Sequence, residues 1–264
     1  QAMPEQQLVT QVQHHQQLIR DLGGDQHLTA PDIGPKQLIQ SAEHLRWLSR
    51  EPQPFGDVLS LQPVNAVMLT WYRNNIMHLL ALPSLIACLL VNRRRGIGLE
   101  RLKSAIDLIY PYIAEELCGT QPAATEAALA SMTQLGLVRR EADIVLPAAQ
   151  HSEQRLPLLH LSKLVNETLE RMYIVISLAH HGQYTRESLC QSSQAAAQQM
   201  ARLHGINAPE FFDQGLFDRF IDALLTNEHL QKNEHQILVT NSTIAEILHN
   251  CLLYTSPSPR DVEE

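Results

Sequence analysis

Apolar residues recur at helical spacing along almost the whole chain, and one stretch departs from that alternation by being apolar all round. From Ile76 to Val91 the only His, Asp, Glu, Lys or Arg is His78. Such a run fits a helix buried on every side and is too long for one strand. At about 1.5 Å per residue it reaches ~24 Å, short of the ~30 Å of a bilayer core. Pro83 removes one backbone donor and is expected to kink it. The run is read as the central core helix, in preference to an interfacial helix or a membrane span. Its leading half, from Val64, holds the polar cluster Tyr72-Arg73-Asn74-Asn75, and Arg93-Arg94-Arg95 stop it.

The flanks carry amphipathic patterns. Leu8, Val12, His15, Leu18, Ile19 and Leu22 predict a leading helix within residues 1–22, and Gly, Pro and Asp mark 23–34 as a loop. A second helix is predicted from Pro35 to Arg50, and Asp57–Leu61 alternates like a short strand. Leu99–Leu117 reads as a helix with a kink at Pro111. An Ala-rich helix from Pro122 to Gln134 follows, capped by Gly136. Leu137-Val138 and Ile144–Leu146 flank a polar turn, and helix plus hairpin is the shape of half a winged helix. A similar unit recurs at Phe217–Leu225, Leu230 and Ile237–Val239, with Leu230 lying 93 residues after Leu137. Between the units, single helices are predicted over Pro157–His181 and Thr185–His204, the second closed by Gly205, and Pro209 opens another. The fold class is mainly α: a multi-helix domain, 35–250, around a central apolar helix, with two small β-hairpins in winged-helix-like units. Residues 251–264, rich in Ser and Pro, read as a disordered or foreign tail.

Composition sharpens this picture. The 264 residues are 44% hydrophobic and only 5% aromatic, with a net charge of −8, which favours helices and disfavours nucleic acid as a partner. Cys88, Cys118, Cys190 and Cys251 are isolated and read as reduced thiols.

Few residues suggest chemistry. A His-x4-Asp pair suits acyl transfer to a hydroxyl, with His as general base and Asp orienting it. The single literal match, His27 to Asp32, sits in a Gly/Pro loop without a phosphate cradle and is read as coincidence, so no catalytic residue is assigned. His14-His15 and His180-His181 lack a further ligand at helical spacing, so neither a metal nor a cofactor is expected. The helix from Pro122 carries Glu126 and no Lys or Arg, against a DNA-reading role. Thr70, Arg73, Asn74 and His78, spaced i, i+3, i+4, i+8, form one polar stripe on the central helix. It is either an internal network or a surface for something outside the chain, and an interdomain contact is the expectation favoured.

Three segments carry a resemblance: VNAVMLTWYRNNIMHLLALPSLIA from Val64, LIYPYIAEEL over Leu108–Leu117, and RLHGINAPEFFD over Arg202–Asp213. Together they resemble, in order and spacing from about Gln6 to Leu248, the C-terminal region of bacterial membrane-associated glycerol-3-phosphate 1-O-acyltransferases. That resemblance implies transfer of an acyl chain from acyl carrier protein or coenzyme A to glycerol 3-phosphate, giving lysophosphatidate at the cytoplasmic face of the inner membrane. It also implies that the catalytic His-x4-Asp and phosphate-binding blocks precede this region. The chain is therefore expected to be a non-catalytic part, truncated at both ends and inactive alone, with the upstream catalytic domain and the membrane surface as partners. The alternative is a free-standing helical interaction module with tandem winged-helix units, binding protein or nucleic acid.

Overall fold

The computed structural model describes residues 2–23, 32–117, 125–204, 206 and 208–240. His27, Cys118, Cys251, Gly205, the start of the helix predicted from Pro122, and the 251–264 tail lie outside them. The order is β1 (Ala2–Pro4), α1 (Glu5–Leu22), α2 (Pro35–His44), β2 (Leu48–Glu51), β3 (Val58–Leu61) and, after a 3-10 turn at Pro63–Asn65, α3 (Ala66–Leu90). Then come β4 (Ile97–Gly98), α4 (Leu99–Glu116), α5 (Thr125–Gln134), β5 (Val138–Glu141), β6 (Ile144–Pro147), α6 (Arg155–Ser162) and α7 (Asn166–His181). The last are α8 (Arg186–His204), a 3-10 turn at Pro209–Phe212, α9 (Gln214–Thr226), β7 (Leu230–Lys232) and β8 (Leu238–Thr240).

The expected central helix is α3. From Leu80 to Val91 nearly every side chain is buried, including Pro83's neighbours Leu82 and Ser84. The helices α1, α4, α5 and α6 pack around it. Val67–Leu90 is the one described helix long and apolar enough to cross a membrane, yet 67% of its apolar window is buried in protein. Its carboxy-terminal half is thus a core helix. Beyond the arginines, Gly96 adopts φ +69°, and a Cβ there would stand 2.4 Å from the Val145 carbonyl oxygen, so only glycine lets the chain turn into β4 this close to β6.

Two expected elements are corrected. The second helix ends at His44, not Arg50, because Arg46 turns left-handed at φ 56° and residues 48–51 leave as strand β2. The helix expected over Pro157–His181 is two, α6 and α7, broken at 163–165. The break is stabilised from α3: Ser84 Oγ donates to the Leu161 carbonyl at 2.7 Å and accepts from the Val165 amide at 3.2 Å. One turn on, Cys88 Sγ donates to the Ser162 carbonyl. Ser84 is fully buried. Replacing it by alanine leaves the buried Val165 amide unpaired and the Leu161 carbonyl with the Leu164 amide at 3.2 Å, and is expected to cost about 2 kcal/mol in chemical denaturation. An unchanged midpoint would mean that another donor reaches this break.

The winged-helix pattern is present three times, where the sequence showed two. In each, a helix ends in the same turn, its sixth residue donating back to the first. These bonds run from Trp47 to Ala42, Leu137 to Met132 and His229 to Leu224, and the left-handed corners are Arg46, Gly136 and Glu228. The corners lie 90 and 92 residues apart (136 − 46 and 228 − 136). A hairpin follows each corner, and an earlier segment pairs with its second strand. The first sheet has the order β1-β3-β2 and the second β4-β6-β5. In the third the earlier segment is only the Tyr184 carbonyl, which accepts from Leu238 in β8 at 2.8 Å. β1 escaped the sequence reading because three residues, Ala-Met-Pro, carry no period.

Candidate functional site

Three places gather polar side chains around open space. The first is a cleft of about 240 Å³ between the amino-terminal half of α3, the end of α4, the start of α7 and the 3-10 turn at 209–212. Arg73 reaches across it from α3, pairing with Glu167 of α7 at 3.3 Å and Glu210 at 3.4 Å. Asn74 Nδ2 donates to the same Glu210 oxygen at 2.9 Å, and its Oδ1 accepts from the Arg73 guanidinium. Deeper lies a second pair, Arg171 of α7 with Glu116 of α4, joined by Thr168, whose hydroxyl donates to Glu116 at 2.8 Å. Arg171 is only 4% exposed. Two arginines face three carboxylates, so the cleft is balanced within the chain to one negative charge.

Of the four residues in the predicted stripe, Arg73 and Asn74 line this cleft together. Thr70 and His78 are half-buried a turn before and a turn after. Sequence reasoning did not single out Glu116, Arg171, Glu167 or Glu210. A signal existed for two of them: the three segments that carried the resemblance meet here, through Arg73 and Asn74, Glu116, and Glu210.

The second place is smaller. Tyr112 Oη meets His229 Nδ1 and accepts from Asn227 Nδ2 at 3.3 Å, with burial pushing the tyrosine pKa up and the histidine pKa down. The adjoining cavity beside Tyr112 holds about 20 Å³, room for roughly one water and no substrate. At the third, lined by Arg186, Cys190, Gln214 and Asp218, burial and the Asp218 carboxylate push the Cys190 thiol up to about 11, so it is not a nucleophile at neutral pH. Neither Cys88 nor Cys190 forms a disulfide among the described residues.

Asp32 of the His-x4-Asp pair is fully exposed, 4.0 Å from Arg20, and lines none of these three places. Among the described residues no three His, Cys, Asp or Glu side chains converge to hold a metal.

Comparison with known proteins places these features. The family model described as the glycerol-3-phosphate acyltransferase C-terminal region matches residues 1–233. The chain is 34% identical over 255 residues to the glycerol-3-phosphate acyltransferase of Pseudomonas paraeruginosa (strain PA7), covering 94% of this chain and 30% of that protein. The enzyme of Pseudomonas aeruginosa (strain UCBPP-PA14) is similar to the same degree over the same shares. That of Pseudomonas fluorescens (strain SBW25) is 33% identical over 93% of this chain and 30% of its own length. The chain thus spans about 30% of the length of the curated relatives it matches.

Proposed function

This chain belongs to the glycerol-3-phosphate acyltransferase C-terminal-region family, and from that membership we propose that it serves a catalytic portion carried upstream rather than the chemistry itself. The whole enzyme transfers a fatty acyl group from acyl-acyl carrier protein or acyl-coenzyme A to glycerol 3-phosphate, giving lysophosphatidate at the cytoplasmic face of the bacterial inner membrane. The observation that carries this reading is the match of residues 1–233 to a family described as a C-terminal region. Two structural features support a non-catalytic role. The cleft between α3 and α7 spends its arginines on its own carboxylates. The Tyr112–His229 pair has no room for a substrate beside it. Burial of the apolar half of α3 in protein speaks against a span, so the membrane association proposed with the family is with the surface. The amino-terminal half of α3, with Thr70, Arg73, Asn74 and His78, belongs to the contact with the catalytic portion.

The test is an acyl-transfer assay with palmitoyl-coenzyme A and glycerol 3-phosphate. The chain alone is expected to be inactive, and the native polypeptide extended upstream to be active. Turnover by the chain alone that vanishes in His27→Ala would overturn the proposal.

A further inference from the structure

The α3 helix shows two unlike faces before it enters the core. Arg73, Asn74, Asn75 and Met77 line the cleft. On the opposite side Val64, Val67, Met68, Trp71, Tyr72 and Ile76 stand out of the protein, with Val64 85%, Trp71 74% and Val67 59% exposed. Their spacing, i to i+3 or i+4, makes them one continuous ridge. Among the described residues only Tyr72 has an aromatic neighbour, Trp47, with ring centroids 5.8 Å apart. Scattered exposed apolar residues need no explanation, but a contiguous ridge that includes Trp, Tyr and Met has the composition of an interface centre.

The ridge is also held in place. Arg73 and Asn74 bind carboxylates from α7 and the 209–212 turn, which fixes the rotation of α3 about its axis and turns the apolar side outward. The leading end of the chain lies beside its start. β1 pairs antiparallel with β3 in the register Ala2↔Ser60 and Pro4↔Val58, and β3 runs on through 61–65 into α3. Chain leading into Ala2 therefore comes from the side of Leu61 and passes the foot of the ridge. The relatives carry about 70% of their length outside the matched region.

We infer that the apolar ridge Val64–Ile76 is the docking face for the upstream portion of the same polypeptide, which lays an apolar surface of its own across Trp71. This rests on the proposed function, and it extends the contact from the polar stripe to the apolar ridge on the other side of the same half-helix. A lipid surface fits less well. The ridge carries no Lys or Arg, and the arginine triplet at 93–95 lies about 26 Å further along, beyond a half-helix that other helices enclose.

The experiment follows Trp71 by acrylamide quenching in a Trp47→Phe background, as the difference from the matched Trp71→Phe protein, so that any tryptophan upstream cancels. It compares this chain with the native polypeptide extended upstream of Ala2, without lipid. Quenching is expected to fall several-fold in the extended polypeptide. There Trp71→Glu should lower the melting temperature, while leaving that of this chain unmoved. Hydrogen exchange over residues 66–76 in the unsubstituted proteins gives the same answer if Trp47→Phe folds poorly. Equal quenching in both polypeptides overturns the inference. So does protection that needs phosphatidylglycerol vesicles, which would assign the ridge to lipid, or protection that grows with chain concentration, which would assign it to a second copy. Acyl transfer measured on the same samples separates the two ideas. An active polypeptide with Trp71 open defeats this inference alone, and an inactive one with Trp71 covered defeats the proposed function alone.

Discussion

Glu116→Ala is expected to lower the melting temperature by roughly 10 °C. Glu116 is the last residue of α4, where the helix dipole disfavours a carboxylate. What holds it there is Arg171, 4% exposed, with Thr168 bridging the two. The Arg171 Nε has no hydrogen-bond partner even with Glu116 in place. Removing the carboxylate leaves a buried guanidinium with only the Thr168 hydroxyl, at 3.1 Å, to bind. Breaking a buried pair from one side costs about 3–5 kcal/mol, and a domain of this size loses roughly 2–4 °C per kcal/mol. Removing both partners is a different experiment. Glu116→Leu with Arg171→Met takes away two desolvated charges together and should regain most of the loss. A single variant that melts within about 2 °C of the parent would mean that water reaches Arg171 and that the pair is not a buried one.

Acidification from pH 7 to 5 should cost the fold about 2 kcal/mol through His15. This ring sits on α1 beside His14 and is influenced by His160 of α6. Its Nε2 is sealed from solvent without a hydrogen-bond partner. Burial first, and the two neighbouring histidines next, lower its pKa from 6.5 to about 4. A histidine depressed in this way contributes stability that is fully present above the unfolded pKa of 6.5. As pH falls below that value the unfolded chain takes up the proton first, and the contribution is lost progressively until pH about 4. Burial lowers the His14 and His160 pKa values in the same direction. Urea denaturation at pH 7, 6 and 5 reads the slope, and His15→Leu should flatten it. A variant that keeps the full slope would assign the acid sensitivity elsewhere.

Much of the fold was legible where the signal was local. The central helix announced itself by the absence of charge from Leu79 to Val91, and Gly136 by being the residue that turns left-handed most easily after an apolar helix. The same corner at Arg46 was invisible, because nothing about arginine favours φ 56°. Its helix was therefore run on to Arg50, and the first of the three units was missed with it. The break between α6 and α7 depends on Ser84, 77 residues away from the carbonyl that it satisfies. No window along the sequence contains both. The candidate site divides in the same way. Spacing put Arg73 and Asn74 on one face, but their partners Glu167 and Glu210 lie 94 and 137 residues from Arg73.

The threefold pattern also bears on how the polypeptide is made. The first unit, β1 to β3, ends at Leu61 and can close as soon as that residue leaves the ribosome. The second cannot close so early. Its sheet needs β6, and the apolar half of α3 waits for α6, whose last residue is Ser162, 72 positions after Leu90. At about 5–20 residues per second the side of that half-helix that packs on α6 waits roughly 4–14 s for its partner in every round of translation. The span most like a membrane segment is thus completed 72 residues before the helix that closes its last side.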